Sequence, residues 1–183
     1  MKSAGNLITL INDVLDIPRL ESGEVGLNRE IFDLCQLVRE CLAVVSCIVK
    51  EGVELKSDLP EAEMGVTGDK ARIRYIFLNL LDKSARFTEK GYIRVSLIDM
   101  RSAGNGMTSF TFCIEDTGSG ISDDAIKRLF FPFAAGRREK PSSIGLGLYA
   151  ARSLAQMMGG DIKAESIEGE GTVFYISFMA ERS

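Results

Sequence analysis

Histidine is absent from all 183 residues. No imidazole is therefore available to activate a nucleophile, ligate a metal or carry a phosphoryl group, and any such chemistry needs a residue from elsewhere. Long hydrophobic runs are missing too. No stretch approaches the ~20 apolar residues of a membrane-crossing helix. The N-terminus is too polar and too periodic for a secretory signal, so a soluble piece is expected. Cysteine is scarce, with Cys35, Cys41, Cys47 and Cys113. The first three recur every six residues within one predicted helix. At about 100° per residue they point to three sides and cannot converge on a metal, which leaves buried, inert thiols in a reducing compartment. Positive charge is in deficit: the net charge is −4. That disfavours nucleic acid and anionic membranes as partners, while a local basic pocket stays open. Two phosphate-binding patterns are also lacking: there is no Gly-x-Gly-x-x-Gly after a first strand and no Gly-Lys-Ser/Thr.

What is present is ordinary for a globular domain, with 45% hydrophobic and 26% charged residues and length for one core plus a short appendage. Residues 3–17 carry helical spacing that Pro18 ends. A linker and a strand lead to Asp33, a candidate cap for a helix over 34–49. A strand is expected over 51–57, then a turn, with Asp69 capping a second helix. On that helix Ile73, Ile76, Phe77, Leu80, Leu81 and Ser84 make one broad core face. "YIRVSLIDM" and "TSFTFCIED" alternate as strands around the hairpin signal "AGNG". A short helix over 122–129 and a mobile loop over 134–144 follow. A helix over 145–158 ends at Gly159 and Gly160, and two strands joined by "EGEG" close the chain. Late hairpins with interspersed helices predict an α+β two-layer sandwich, a mixed sheet covered by helices on one face.

Two glycine-bearing stretches stand apart. "EDTGSGI", residues 115–121, follows a strand, where glycine lets a backbone approach a ligand closely. "IGLGLYAAR", residues 144–152, opens a helix, where free N–H groups favour anions. Each alone reads more simply as a turn. A third feature is a polar stripe: Asn79, Lys83 and Arg86, spaced i, i+4, i+7, lie beside the core face of the second helix.

In order, "RIRYIFLNLLDKSARFTEKG", "DTGSGI", "LFFPF", "GLGL" and "GEGT" resemble five boxes of the sensor histidine kinase catalytic domain: asparagine, first glycine, phenylalanine, second glycine and third glycine. This is the Bergerat-type ATP-binding fold shared with gyrase, mismatch-repair and heat-shock chaperone ATPases. The resemblance covers residues 28–183. Residues 1–27, with "NLITLINDVLDIPRLESGEVGL", are similar to the end of a dimerisation helix and its linker.

The resemblance implies roles residue by residue. Asp116 would accept a hydrogen bond from the adenine amino group, with Gly118, Gly120 and Ile121 forming the thin wall beside it. Thr172 would lie near the base. Gly145, Leu146, Gly147 and Leu148 would form the loop-to-helix junction at the phosphates. Arg137, Arg138 and Lys140 would reach phosphate from a lid over 134–144, rooted at Phe130 and Phe133. The stripe of Asn79, Lys83 and Arg86 would face the triphosphate. Lys83 stands where the family has an asparagine that holds Mg²⁺, and Ser84 where it has alanine. A lysine ammonium has no lone pair for a cation. Three outcomes stay open at this point: Lys83 takes the metal's place, or turns outward beside a decayed site, or swings aside so that Asn79 and waters hold Mg²⁺ weakly.

The implied function is ATP γ-phosphoryl transfer to a histidine absent from this chain. A catalytically impaired nucleotide-sensing scaffold and another ATPase of the wider fold are the alternatives. The implied ligands are ATP or ADP, with Mg²⁺ doubtful. The implied partners are a response-regulator receiver domain and the parent's own dimerisation domain, with no nucleic acid. The implied location is cytoplasmic, with a membrane anchor on the parent left open.

Overall fold

The computed structural model describes residues 27–132 and 146–182. The elements in chain order are β1 (Glu30–Asp33), α1 (Leu34–Val45), β2 (Val53–Asp58), β3 (Gly65–Gly68), α2 (Lys70–Phe87), β4 (Gly91–Gly104), β5 (Met107–Asp116), α3 (Asp123–Ile126), α4 (Gly147–Met157), β6 (Ile162–Ile167) and β7 (Gly171–Arg182). The first helix expected from the sequence, the loop over 134–144 and residue Gly145 lie outside the described residues.

Capping sets both long helices. Asp33 accepts the Gln36 N–H at 3.1 Å and Asp69 accepts the Arg72 N–H at 3.1 Å. Each carboxylate satisfies a donor that a helix start leaves orphaned. The β4–β5 hairpin turns at Asn105 and Gly106, with φ of 51° and 78°. Two successive positive φ values are what a tight I′ turn needs, which is why Asn-Gly serves there.

The strands assemble in the order β1-β3-β7-β5-β4-β2, and β6 also pairs with β7. Among the described strands only β2–β4 is a parallel pair, so the sheet is mixed. Period-2 alternation puts Ile93 and Val95, Phe110, Phe112 and Ile114, and Phe174, Ile176 and Phe178 on one face, all buried. The apolar stripes of α1, α2 and α4 join these side chains in a single core cluster. Phe77 of α2 meets Phe112 edge-on at 5.1 Å, and Phe112 stacks on Phe178 at 6.0 Å. The opposite face carries polar contacts such as Tyr92 to Glu115 and Tyr175 to Glu165. The architecture is the expected two-layer α+β sandwich.

Three local expectations change. "GVTG", read as a turn, is strand β3. It is bracketed by glycines and buries only Val66 fully, so its conformation comes from pairing with β1 on one side and with the end of β7 on the other. The helix expected over 34–49 stops at Val45, where Ser46 turns its hydroxyl back to the Ala43 carbonyl at 2.7 Å. Cys47 therefore sits past the helix and is exposed, not buried. Cys35 and Cys41 are buried as expected, and Cys113 is half-buried.

Candidate functional site

The core face of β5 and the core stripe of α2 end at the same point. On β5, Phe110, Phe112 and Ile114 are followed on the same face by Asp116. On α2, Phe77, Leu80 and Leu81 are followed by Ser84. Both polar residues are buried, Asp116 at 5% and Ser84 at 1% exposure. The Ser84 hydroxyl donates to Asp116 Oδ2 at 2.7 Å, and the Gly118 N–H donates to Oδ1 at 3.0 Å. No ion pair reaches Asp116 among the described residues. Burial pushes its carboxyl above the usual carboxylate range, and Glu115 adds to the rise. Hydrogen bonds from Ser84 and from the backbone of Gly118 and Thr172 oppose it.

The glycines of "DTGSGI" explain how the chain closes on this carboxylate. A Cβ on Gly118 would lie 2.7 Å from the Phe87 carbonyl and 2.9 Å from Asp116 Oδ1, so only glycine brings its N–H to that oxygen. Gly120, at φ 66°, lets Ile121 donate its N–H to Ser166 Oγ at 2.8 Å. Thr172 lies opposite Asp116 in the β5–β7 register, 5% exposed, with its hydroxyl 2.9 Å from Ser166 Oγ. Ser166 in turn donates to the Gly171 carbonyl at 2.7 Å, so β6 and β7 hold the wall together.

The polar stripe of α2 meets the start of α4. A Cβ on Gly147 would collide with Asn79 Oδ1, so glycine there allows the contact. The Asn79 amide nitrogen donates to the Tyr75 carbonyl at 2.9 Å. Lys83 is half-buried, its ammonium 6.0 Å from the Phe87 ring centroid, and it forms no ion pair among the described residues. Arg86 is exposed and pairs with Asp82 at 2.6 Å. Leu146 and Leu148, at the start of α4, are buried. Phe130 packs against the core and carries the Arg152 guanidinium 5.2 Å above its ring. Phe133, Arg137, Arg138, Lys140 and Gly145 lie outside the described residues.

The stripe brings at most one side-chain oxygen toward Mg²⁺. That ion demands near-octahedral oxygen ligands. Asn79 offers one amide oxygen, already against Gly147, while Lys83 and Arg86 offer only donors. Among the described residues no group of three or more acidic or cysteine side chains could hold a metal. What the stripe can offer is positive charge toward an anion. The residue that sequence reading undervalues is Ser84. Its signal is present as the one hydroxyl on an apolar helical stripe, but only the fold shows that the stripe ends against Asp116.

A family model described as histidine kinase-, DNA gyrase B-, and HSP90-like ATPase matches residues 68–182. The chain belongs to this family. The signal transduction histidine-protein kinase BarA of Escherichia coli is 35% identical over 182 residues, which is 95% of this chain and 19% of BarA. The hybrid signal transduction histidine kinase B of Dictyostelium discoideum is 33% identical over 180 residues, again 95% of this chain and 9% of the relative. The chain thus spans a minor part of the curated relatives it matches. Among solved structures, full-length ShkA in complex with AMPPNP is similar over 100% of this chain and 37% of its own, at 29% identity and a TM-score of 0.75. The catalytic domain of histidine kinase ThkA shares the fold, with a TM-score of 0.65 over 84% of this chain and 98% of its own at 22% identity.

Proposed function

We propose that this chain binds ATP as the catalytic domain of a two-component histidine kinase and supplies the γ-phosphoryl group for transfer to a histidine. The acceptor imidazole comes from another segment or chain, since this one has none. A receiver domain is the next acceptor, and a dimerisation domain of the parent presents the histidine from a cytoplasmic position. The observation that carries the reading is the buried Asp116 carboxylate at the end of a core strand, met by neutral donors and, among the described residues, by no cation. A fixed acceptor without a cation suits the amino group of adenine, and burial strengthens that hydrogen bond. AMPPNP in the related ShkA structure supports the same ligand class.

Asn79, Lys83, Arg86 and the α4 start are the phosphate side of the proposed site, with Gly145 and the basic residues Arg137, Arg138 and Lys140 as further contributors. Mg²⁺, which the family implies, finds one side-chain oxygen on the stripe, that of Asn79, while Lys83 brings a fixed charge toward the phosphates. Phosphoryl transfer ordinarily uses metal to neutralise developing charge. Lys83 therefore favours a second reading, a nucleotide-sensing module with little transfer.

The test is calorimetry with ATP and ADP, in Mg²⁺ and in excess chelator, on this chain and on Lys83→Asn. Binding that survives the chelator, and becomes metal-dependent in Lys83→Asn, is expected. No binding in either condition overturns the nucleotide reading. Binding only with Mg²⁺ overturns the role given to Lys83. Transfer to a supplied histidine-bearing helix separates the kinase from the sensing module.

A further inference from the structure

Ser84 is buried among core side chains, yet its hydroxyl turns to the functional end of the sheet. Its position is fixed from behind: both the hydroxyl and the N–H of Thr88 donate to the Ser84 carbonyl, at 2.7 and 3.0 Å. Thr88 is itself fully buried. The hydroxyl then has one short bond, 2.7 Å to Asp116 Oδ2. A serine hydroxyl holds a single proton. With that proton directed at Oδ2, the bond is complete only while Oδ2 is an acceptor. The Gly118 N–H makes the same demand of Oδ1. Both oxygens are thus held by donors, the Thr172 backbone adds a third hydrogen bond, and of the four lone pairs of a carboxylate one is left for a ligand.

We propose that Ser84 is a positioning residue for base selection: by donating to Oδ2 it keeps Asp116 a pure acceptor, so the site takes a base edge bearing an amino group over one bearing a carbonyl. The proposal rests on the reading that Asp116 meets the base. A protonated Asp116 would itself carry a donor and would tolerate a carbonyl. Burial and the neighbouring Glu115 both push Asp116 toward that form. Ser84 is the side chain that opposes them, together with the backbone of Gly118 and Thr172. Without the hydroxyl, the carboxyl of Asp116 protonates at higher pH and discrimination relaxes.

The experiment uses Ser84→Ala, which removes one hydroxyl and keeps a strong helix former. Affinities for ATP and for inosine triphosphate, which carries a carbonyl where adenine has its amino group, are measured across pH 5 to 9. In the unaltered protein ATP is preferred throughout the neutral range. In Ser84→Ala the acid-side change in ATP affinity is expected to move to higher pH, and the preference for ATP to fall by about tenfold within that window. A merely structural role would lower both affinities equally at every pH. An unchanged profile and an unchanged preference, with Asp116→Asn still weakening ATP, overturn the assignment to Ser84. If Asp116→Asn leaves ATP affinity untouched, the base-reading role of Asp116 has failed and this inference falls with it.

Discussion

Two aspartates lie at opposite ends of α2, and both are buried to nearly the same degree: Asp69 is 4% and Asp116 5% exposed. Asp69 is committed to the fold. Its Oδ1 caps the helix through the Arg72 N–H, and its Oδ2 accepts the Asn28 N–H at 3.0 Å and pairs with the Arg72 guanidinium at 3.2 Å. Among the described residues Asp116 has only neutral donors, a hydroxyl and backbone N–H groups, and no cation. The difference teaches how to separate a structural carboxylate from a binding one when burial cannot. A carboxylate whose charge is matched inside the protein stabilises the fold. One whose charge is left unmatched, beside glycines that thin the wall, is the one we propose for a ligand.

The comparison breaks most visibly on substitution. Asp116→Asn presents a mixed amide where a pure acceptor stood, and ATP affinity should fall by about 1.5–3 kcal/mol, the worth of a hydrogen bond to a charged group. Titration calorimetry reads this, and unchanged affinity in a folded variant counts against it. Asp69→Ala should do the reverse. Loss of the cap lowers stability by about 2 kcal/mol in urea unfolding, while ATP affinity of the folded fraction stays as it was. A stability loss in Asp116→Asn equal to that in Asp69→Ala would erase the distinction.

A pH series sharpens it further. The folded carboxyl of Asp116 titrates above its unfolded value, so between those two values the folded state binds more protons than the unfolded state. Stability contributed by this group is therefore present at low pH and declines as pH rises from the ordinary carboxylate value near ~3.9 through the folded one. Asp116→Asn removes that decline, so its stability relative to the unaltered protein should rise across the window. A difference that stays flat with pH would mean that Asp116 titrates as an ordinary surface carboxylate. The smallest effect concerns the phosphate side. Asp82→Ala releases Arg86 from an exposed pair, 53% and 36% exposed, at a stability change of about 0.5 kcal/mol or less. ATP affinity should then rise modestly. A fall would show that the Arg86–Asp82 pair holds the site together.

Much of this is legible in the sequence because local rules and the fold agree. Asp33 and Asp69 read as caps from their place before apolar-periodic stretches, and alternation along β5 carries the face of Phe110, Phe112 and Ile114 on to Asp116, while Thr172 is legible through the family resemblance alone. Strand β3 is not legible. Its four residues have no periodicity of their own, and their conformation depends on partners more than a hundred residues away in β7. Cys47 escapes the periodic reading because a helix end set by Ser46 shifts it out of the helical stretch. Ser84 is visible as part of a stripe but not as part of a site. Its meaning depends on where Asp116 arrives from another element, 32 residues later.

The central claim, that Asp116 reads the amino group of adenine, is tested most directly by a double-mutant cycle between protein and ligand. Binding of ATP and of purine riboside triphosphate, which lacks the 6-amino group, is measured on the unaltered chain and on Asp116→Asn. The account predicts that removing the amino group weakens binding to the unaltered chain by about tenfold or more, and that the loss largely vanishes in the variant. Equal losses in both proteins would contradict it.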